Sequence, residues 1–234
     1  MRIVVSGDWH LDTITAGVPR FTDIERAVNE LSEYIIQNRA NAFVFLGDLA
    51  NPDSGSITIR AITVALRFAH KLAACGIPSI WIAGNHDVVD DSESRSTLTP
   101  LSILAHVIEP LPVLLPLSPT VDGLFLPFPP RTAKYDPEER TRKLCAGRDK
   151  AKKLVAFGHL SIVGAQMGSE SFDMARGGDV LYPFAALDED GVSMRFNGHY
   201  HHRQETSGVI MPGTLERLRF DEENNRPGWL TIEV

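Results

Sequence analysis

Metal-binding side chains recur at five short points along this chain: Asp8-Trp9-His10, Gly47-Asp48, Gly84-Asn85-His86-Asp87, Gly158-His159 and Gly198-His199-Tyr200-His201. Five of its eight histidines fall within them. Carboxylate, amide and imidazole donors mixed in this way suit borderline divalent cations such as Mn²⁺, Fe²⁺ or Zn²⁺ better than an all-oxygen Mg²⁺ or Ca²⁺ cage. No cysteine accompanies them, which argues against a closed structural zinc site. Taken singly, each point has a plainer alternative. Asp8 and Asp48 would serve as helix N-caps, Asn85-His86-Asp87 as a polar turn, and His159 as a hydrogen-bonded structural histidine. Together, the number and type of donors favour a centre for two cations. Such ions, ~3.5–4 Å apart, repel and need an anionic bridge between them.

The elements that must position these donors are legible from the flanking residues. Each point follows a β-branched or aromatic run: Ile3-Val4-Val5, Phe43-Val44-Phe45, Ile80-Trp81-Ile82, Leu154-Val155-Ala156-Phe157 and Met194-Arg195-Phe196. Such runs read as buried strands, and the Gly or acidic residue that follows reads as a strand end. Donors at the carboxyl ends of strands converge on one crevice of an open α/β sheet. Ile24, Ala27, Val28, Leu31, Ile35 and Ile36 recur at helical spacing, which predicts a helix over residues 22–38 capped by Thr22, with Glu25 three residues on. A second helix is predicted over 56–74, stopping at Gly76. Residues 98–106 read as a shorter helix, and His70 and His106 as structural histidines in helical patterns. This alternation predicts a parallel sheet with right-handed crossovers. Further on, 113–128 reads as two strands, 137–148 as a charged helix, and 209–211, 216–220 and 229–233 as strands of a hairpin-rich end. Residues 161–178 read as a surface loop near the crevice. Two sheets with helices outside each is the simplest packing.

Bulk properties set the class. A chain of 234 residues, 43% hydrophobic and 23% charged, can fill one large core, so one domain over 1–234 is expected. The net charge of −7 argues against indiscriminate nucleic-acid binding. Cys75 and Cys145 lie far apart without metal-knuckle or CxxC spacing and read as reduced thiols of a cytoplasmic protein. No apolar stretch approaches ~18 residues, so no membrane span is expected. The first strand begins at Arg2, which leaves no place before it for a cleavable signal.

In this order and at this spacing, the five motifs resemble the calcineurin-like metallophosphoesterase superfamily, over essentially the whole chain. The resemblance implies an α/β fold, a four-layer αββα sandwich of two mixed β-sheets flanked by helices. It implies two divalent metals, Mn²⁺ foremost, with Fe²⁺ or Zn²⁺ as alternatives. Asp8, His10, Asp48 and His201 would surround one, and Asp48, Asn85, His159 and His199 the other, with Asp48 bridging. The His199 and His201 rings then face different metals, so the segment must twist between them, and His202 points elsewhere. The implied chemistry is phosphoester hydrolysis, in which hydroxide formed between the metals attacks phosphorus in line. His86 would bind the phosphate and protonate the leaving alkoxide, while Asp87 orients its neighbours rather than binding metal. One position departs from the family pattern. Many relatives carry Asp or His three residues beyond the bridging Asp, where this chain has Asn51. A neutral amide raises a partner histidine's pKa less than a carboxylate does, so His86 is expected to be a weaker general acid.

The loops narrow the substrate. The run from His159 to Ala165, with Ser169-Glu170-Ser171 and Gly177-Gly178, resembles the SbcD-type branch of DNA-repair nucleases. So do the run from Met211 to Arg217 and Pro227-Gly228-Trp229-Leu230. That branch implies DNA as substrate and a coiled-coil ATPase as partner. Nothing after Val234 corresponds to its DNA-clamping cap or ATPase-binding segment, which argues against a stable partnership; a dimer is left open. Residues 131–153 hold nine Lys or Arg against four Asp or Glu, either a phosphate-binding strip or a solvated helix face. Tyr135, Phe172 and Tyr182 are candidates for base stacking or for ordinary packing. Three readings follow: a Mn²⁺-dependent nuclease, a phosphodiesterase or phosphatase for a small molecule such as a cyclic nucleotide, and a non-catalytic DNA-end or partner-binding module.

Overall fold

In the computed structural model, which describes residues 1–90, 95–129, 136–167 and 180–234, the apolar runs form strands that end at the donor residues. The chain runs through β1 (Arg2–Ser6), a small hairpin of β2 (Ile14–Thr15) and β3 (Val18–Pro19), α1 (Phe21–Gln37), β4 (Ala42–Phe45), α2 (Ser56–Ala74) and β5 (Ser79–Ile82). A second small hairpin, β6 (Val88–Asp90) and β7 (Arg95–Ser96), precedes β8 (His106–Ile108). Then come β9 (Val113–Ser118), β10 (Val121–Leu126), α3 (Pro137–Cys145), β11 (Lys153–Gly158) and α4 (Phe184–Glu189). The chain closes with β12 (Met194–Asn197), β13 (Gln204–Thr206), β14 (Val209–Met211) and β15 (Leu230–Glu233).

Two mixed sheets result. The first has the order β15-β1-β4-β5-β8, with β1, β4, β5 and β8 parallel and β15 antiparallel to β1 at the edge. The second has the order β13-β14-β12-β11-β10-β9, parallel through its middle and antiparallel at both edges. The period-two alternation of strand side chains sorts the core into layers. Ile3, Val5, Val44, Ile80 and Ile82 of the first sheet pack with Phe125, Val155, Phe157 and Phe196 of the second. Val4, Phe43, Phe45 and Trp81 pack instead against Ile24 and Leu31 of α1 and Val64 and Phe68 of α2. Leu124, Leu126, Leu154 and Ala156 cover the remaining face together with Cys145 and Leu187. This is the αββα sandwich that the resemblance implied.

Several local expectations need correction. The first helix starts at Phe21, and Arg20 precedes it with no side-chain cap, so Thr22 does not cap it. Phe21 is buried under the Arg60 guanidinium at 3.9 Å, which draws the helix start one residue earlier, and Glu25 pairs with Arg67 of α2 at 2.7 Å. Over 98–106 only Thr99–Ile103 forms a 3-10 turn. His106 begins β8 instead, because β5 takes a parallel partner there, Ile80 against His106. Residues 216–220 form no strand. Glu222 is drawn inward, accepting from the Leu218 amide at 2.8 Å, and Phe220–Glu222 becomes a 3-10 turn. The last strand leaves the C-terminal hairpin and returns to β1. The motif residues Ser169, Glu170, Ser171, Gly177 and Gly178, the aromatics Tyr135 and Phe172, and the first part of the basic strip lie outside the described residues. Both cysteines are free, Cys75 exposed and Cys145 buried. Among the described residues no helix is long and apolar enough to cross a membrane.

Candidate metal centre

The donors sit just beyond the carboxyl ends of β1, β4, β5, β11 and β12, where the backbone turns sharply. Asp8, His10, Asp48 and His199 all adopt left-handed backbone, with φ of 52°, 42°, 63° and 74°. Each such residue costs roughly 1–3 kcal/mol, and this strain persists only where surrounding structure enforces it. The enforcement is visible. Asp8, His10 and Leu11 donate from their amides to the carbonyls of Gly47, Asp48 and Leu49 at 2.8, 3.1 and 3.0 Å, zipping two strand-end loops together. Gly47, at φ 101°, has to lack a side chain, since a Cβ there would lie 2.5 Å from His159 Nδ1.

Two groups of donors form. Asp8, His10 and His201 offer atoms within 4.8 Å of one another, and so do Asp8, Asp48 and His159. Asp8 is common to both groups, and Asp48 Oδ2 lies 3.4 Å from His159 Nε2 in its own group and 3.6 Å from His10 Nε2 in the other. The Asn85 carbonyl oxygen stands 3.0 Å from His159 Nε2 and 2.9 Å from His199 Nδ1. His201 Nε2 faces His10 Nε2 at 3.1 Å. All seven residues expected as ligands are therefore brought together, and His202 belongs to neither group.

Their neighbours aim them. His159 Nδ1 meets the Leu46 carbonyl at 2.6 Å and His201 Nδ1 meets Glu222 Oε1 at 3.0 Å, which leaves the Nε2 atoms of both rings turned to the centre. Asp87 does not join the donors. Its carboxylate accepts from the amides of Gly84, Asp48 and Leu49 and from the Thr97 hydroxyl, at 2.9, 2.7, 2.9 and 3.0 Å, tying the β4 end to the β5 end. His86 sits beside the cluster. Its amide donates to Asp48 Oδ1 at 2.9 Å, its ring lies 5.0 Å from that of His10, and its Nδ1 meets Asn51 Oδ1 at 2.6 Å. Sequence reasoning missed Glu222, Asp12 and Thr97. The acidic run Asp221-Glu222-Glu223 carries no periodic signal that would single out its middle member.

The electrostatics fit cations. Asp8 is fully buried, its Oδ2 has no hydrogen-bond partner, and burial together with the Asp48 charge pushes its carboxyl up to about 7. Burial opposes the charged form of Asp48 as well, but the His159 and His10 rings hold it far below the ordinary range. His159 is raised to about 9, its burial outweighed by Asp48. Burial lowers His10 to about 3 and His199 to about 4, so both offer bare lone pairs at neutral pH. A buried carboxylate with an orphaned oxygen, grouped with the unprotonated His10 ring, is a donor set suited to a cation.

Carboxylate and imidazole donors gathered at the strand ends of an αββα sandwich define a metal-dependent phosphoesterase. The chain belongs to the calcineurin-like phosphoesterase family, whose model matches residues 1–203, and that family uses a dinuclear divalent metal centre. It is 27% identical to the SbcD component of the SbcCD nuclease of Escherichia coli K12 over 95% of this chain, and equally to that of the O157:H7 strain. The chain spans 62% of the length of these relatives. Among solved structures, a dimetal phosphatase from Danio rerio superposes with a TM-score of 0.58 at 14% identity, covering 99% of this chain and 91% of that one. A purple acid phosphatase from yellow lupin (Lupinus luteus) seeds gives 0.56 at 13% identity, covering 90% and 43%. At such identities these two likenesses concern the fold alone.

Proposed function

We propose that this protein is a two-metal-dependent phosphodiesterase that cleaves DNA, a nuclease of the SbcD type working with Mn²⁺. The observation that carries the reading is the Asp48 carboxylate within reach of a histidine of each donor group, its Oδ2 3.6 Å from His10 and 3.4 Å from His159. Asp8, His10, Asp48 and His201 would hold one metal, and Asp48, Asn85, His159 and His199 the other. Bound there, the cations would polarise the phosphate oxygens and lower the pKa of a water. The chain's own residues do the rest. His86 takes a phosphate oxygen and delivers its Nε2 proton to the leaving oxygen as the ester bond breaks opposite the attacking water oxygen. Asn51 holds the other nitrogen of that ring, and Asp87 fixes the loops bearing Asp48 and Asn85. The segment bearing Glu222 presents Arg217, Arg219, Phe220 and Arg226 to solvent, groups suited to phosphates and bases, though interleaved with Asp221 and Glu223. DNA is favoured by likeness to a nuclease over 95% of the chain. A coiled-coil ATPase partner belongs to the same reading.

Two observations favour a smaller substrate. In the basic strip Arg142, Lys143, Arg148, Lys150 and Lys152 each pair with an acid. Tyr182 is buried and cannot stack on bases. The test is incubation of Mn²⁺-loaded protein with end-labelled duplex and single-stranded DNA and with a chromogenic bis-aryl phosphodiester, beside His86→Ala. DNA should be cut, and the variant should retain its metal while losing about 10²–10⁴-fold in turnover. Hydrolysis of the small diester alone would replace DNA with a small-molecule substrate. Full turnover in the variant would remove His86 from the chemistry.

A further inference from the structure

Asp12 lies two residues beyond His10 and belongs to neither donor group. Its Oδ2 accepts from Asn51 Nδ2 at 2.8 Å, from the Asn51 amide at 3.3 Å and from Ser54 Oγ at 2.7 Å. The Asn51 carbonyl accepts from Thr58 Oγ1 at 2.7 Å, so the backbone here is anchored to the start of α2. What remains free is rotation of the Asn51 side-chain amide, whose two ends are nearly isosteric but chemically opposite. An ionised carboxylate only accepts. The nitrogen end must therefore face Asp12, and the oxygen end must face His86 Nδ1, 2.6 Å away. A carbonyl oxygen also only accepts, so His86 Nδ1 has to carry a hydrogen. Nε2 is left as the nitrogen that exchanges a proton with the substrate.

We propose that Asp12 is a positioning residue that orients the Asn51 amide and through it fixes the protonated nitrogen and aim of His86. The inference rests on His86 acting as general acid. A carboxylate in place of Asn51 would need no such guide, whereas an amide does. Flipped, it would point N–H at Nδ1, favour the other tautomer, and repel the doubly protonated ring that donates a proton. Asn51 is thus not a lone neutral partner. It is an amide with a carboxylate behind it.

The test compares the parent with Asp12→Ala, Asp12→Ala/Asn51→Asp and His86→Ala, reading kcat and KM on the bis-aryl diester, metal content, and ¹⁵N-histidine NMR of the Zn²⁺-loaded protein. Asp12→Ala should lower kcat about tenfold with KM and metal content unchanged. Its His86 spectrum, assigned by loss in His86→Ala, should lose the fixed Nδ1–H tautomer. The double variant should regain most of the kcat and the Nδ1–H signal, because a carboxylate at position 51 accepts from His86 whichever way it turns. Unchanged kcat and spectrum in Asp12→Ala, lost metal, or no rescue in the double variant would each overturn the proposal. If the parent hydrolyses no diester, or His86→Ala keeps full turnover, the general-acid reading fails instead, and the NMR comparison still decides whether Asp12 sets the ring.

Discussion

At neutral pH the metal-free centre holds His159 protonated against Asp48, since that ring is raised to about 9 by the carboxylate despite its burial. A metal needs the bare imidazole, so binding has to displace this proton. Affinity for Mn²⁺ or Zn²⁺ should therefore rise with pH by up to about tenfold per unit for each proton released, and flatten above about 9. Titration calorimetry in buffers of different ionisation enthalpy should show proton release at pH 7; binding heats independent of buffer would contradict it. The sign in the metal-free protein is opposite. A histidine whose folded pKa lies above its unfolded value near 6.5 adds stability below that value and loses it as pH rises through about 9. The ligand types were legible in the sequence because each follows an apolar strand run. Glu222 and Asp12 were not, because one sits in an irregular segment and the other acts through a side chain brought close only by folding.

The loop carrying Asp8 and His10 is also an extension of the core. Trp9 between them is fully buried, its ring 4.8 Å from Phe45, 5.3 Å from Phe68 and 5.5 Å from Trp81, and its Nε1 donates to Ser6 Oγ at 3.0 Å. Two donors are thereby pinned to the β4–α2–β5 layer by one side chain. Trp9→Ala should cost about 3–5 kcal/mol, in the range of emptied aromatic sites, and should weaken metal binding more than an equally destabilising change elsewhere. Urea unfolding with and without metal would measure both; unchanged affinity at lowered stability would separate the loop from the core. Elements of this kind were readable where an unbroken apolar run was also buried, as in β1, β4 and β5. They were misread where a distant partner decided the outcome: His106 joined β5, the last strand returned to β1, and residues 216–220 gave up strand form as Glu222 turned inward to His201.

Across the whole molecule the centre joins the two sheets. Asp8, Asp48 and Asn85 come from the first and His159 and His199 from the second, and without metal the contacts between them include the His159 ring on the Leu46 carbonyl at 2.6 Å and the His199 amide on Asp8 at 2.9 Å. The same junction holds an unfavourable charge. Asp8, raised to about 7 mainly by burial, opposes folding above its unfolded value of 3.8, because a carboxylate that resists ionisation in the folded state ionises freely in the unfolded one. Metal relieves that cost and clamps both sheets, so loading should raise Tm. Free metal at 100-fold over Kd contributes about 2.7 kcal/mol for one site, a rise of roughly 5–11 °C for a domain of this size. Asp8→Asn should act in opposite senses on the two forms. It removes the buried charge, so the metal-free protein should melt higher, and it removes a donor, so the rise on loading should shrink. Differential scanning calorimetry of both proteins, with chelator and with Mn²⁺, reads the four values. A metal-free Asp8→Asn that melts lower than the parent would mean that the Asp8 carboxylate supports the folded state through the His199 amide more than its burial opposes it.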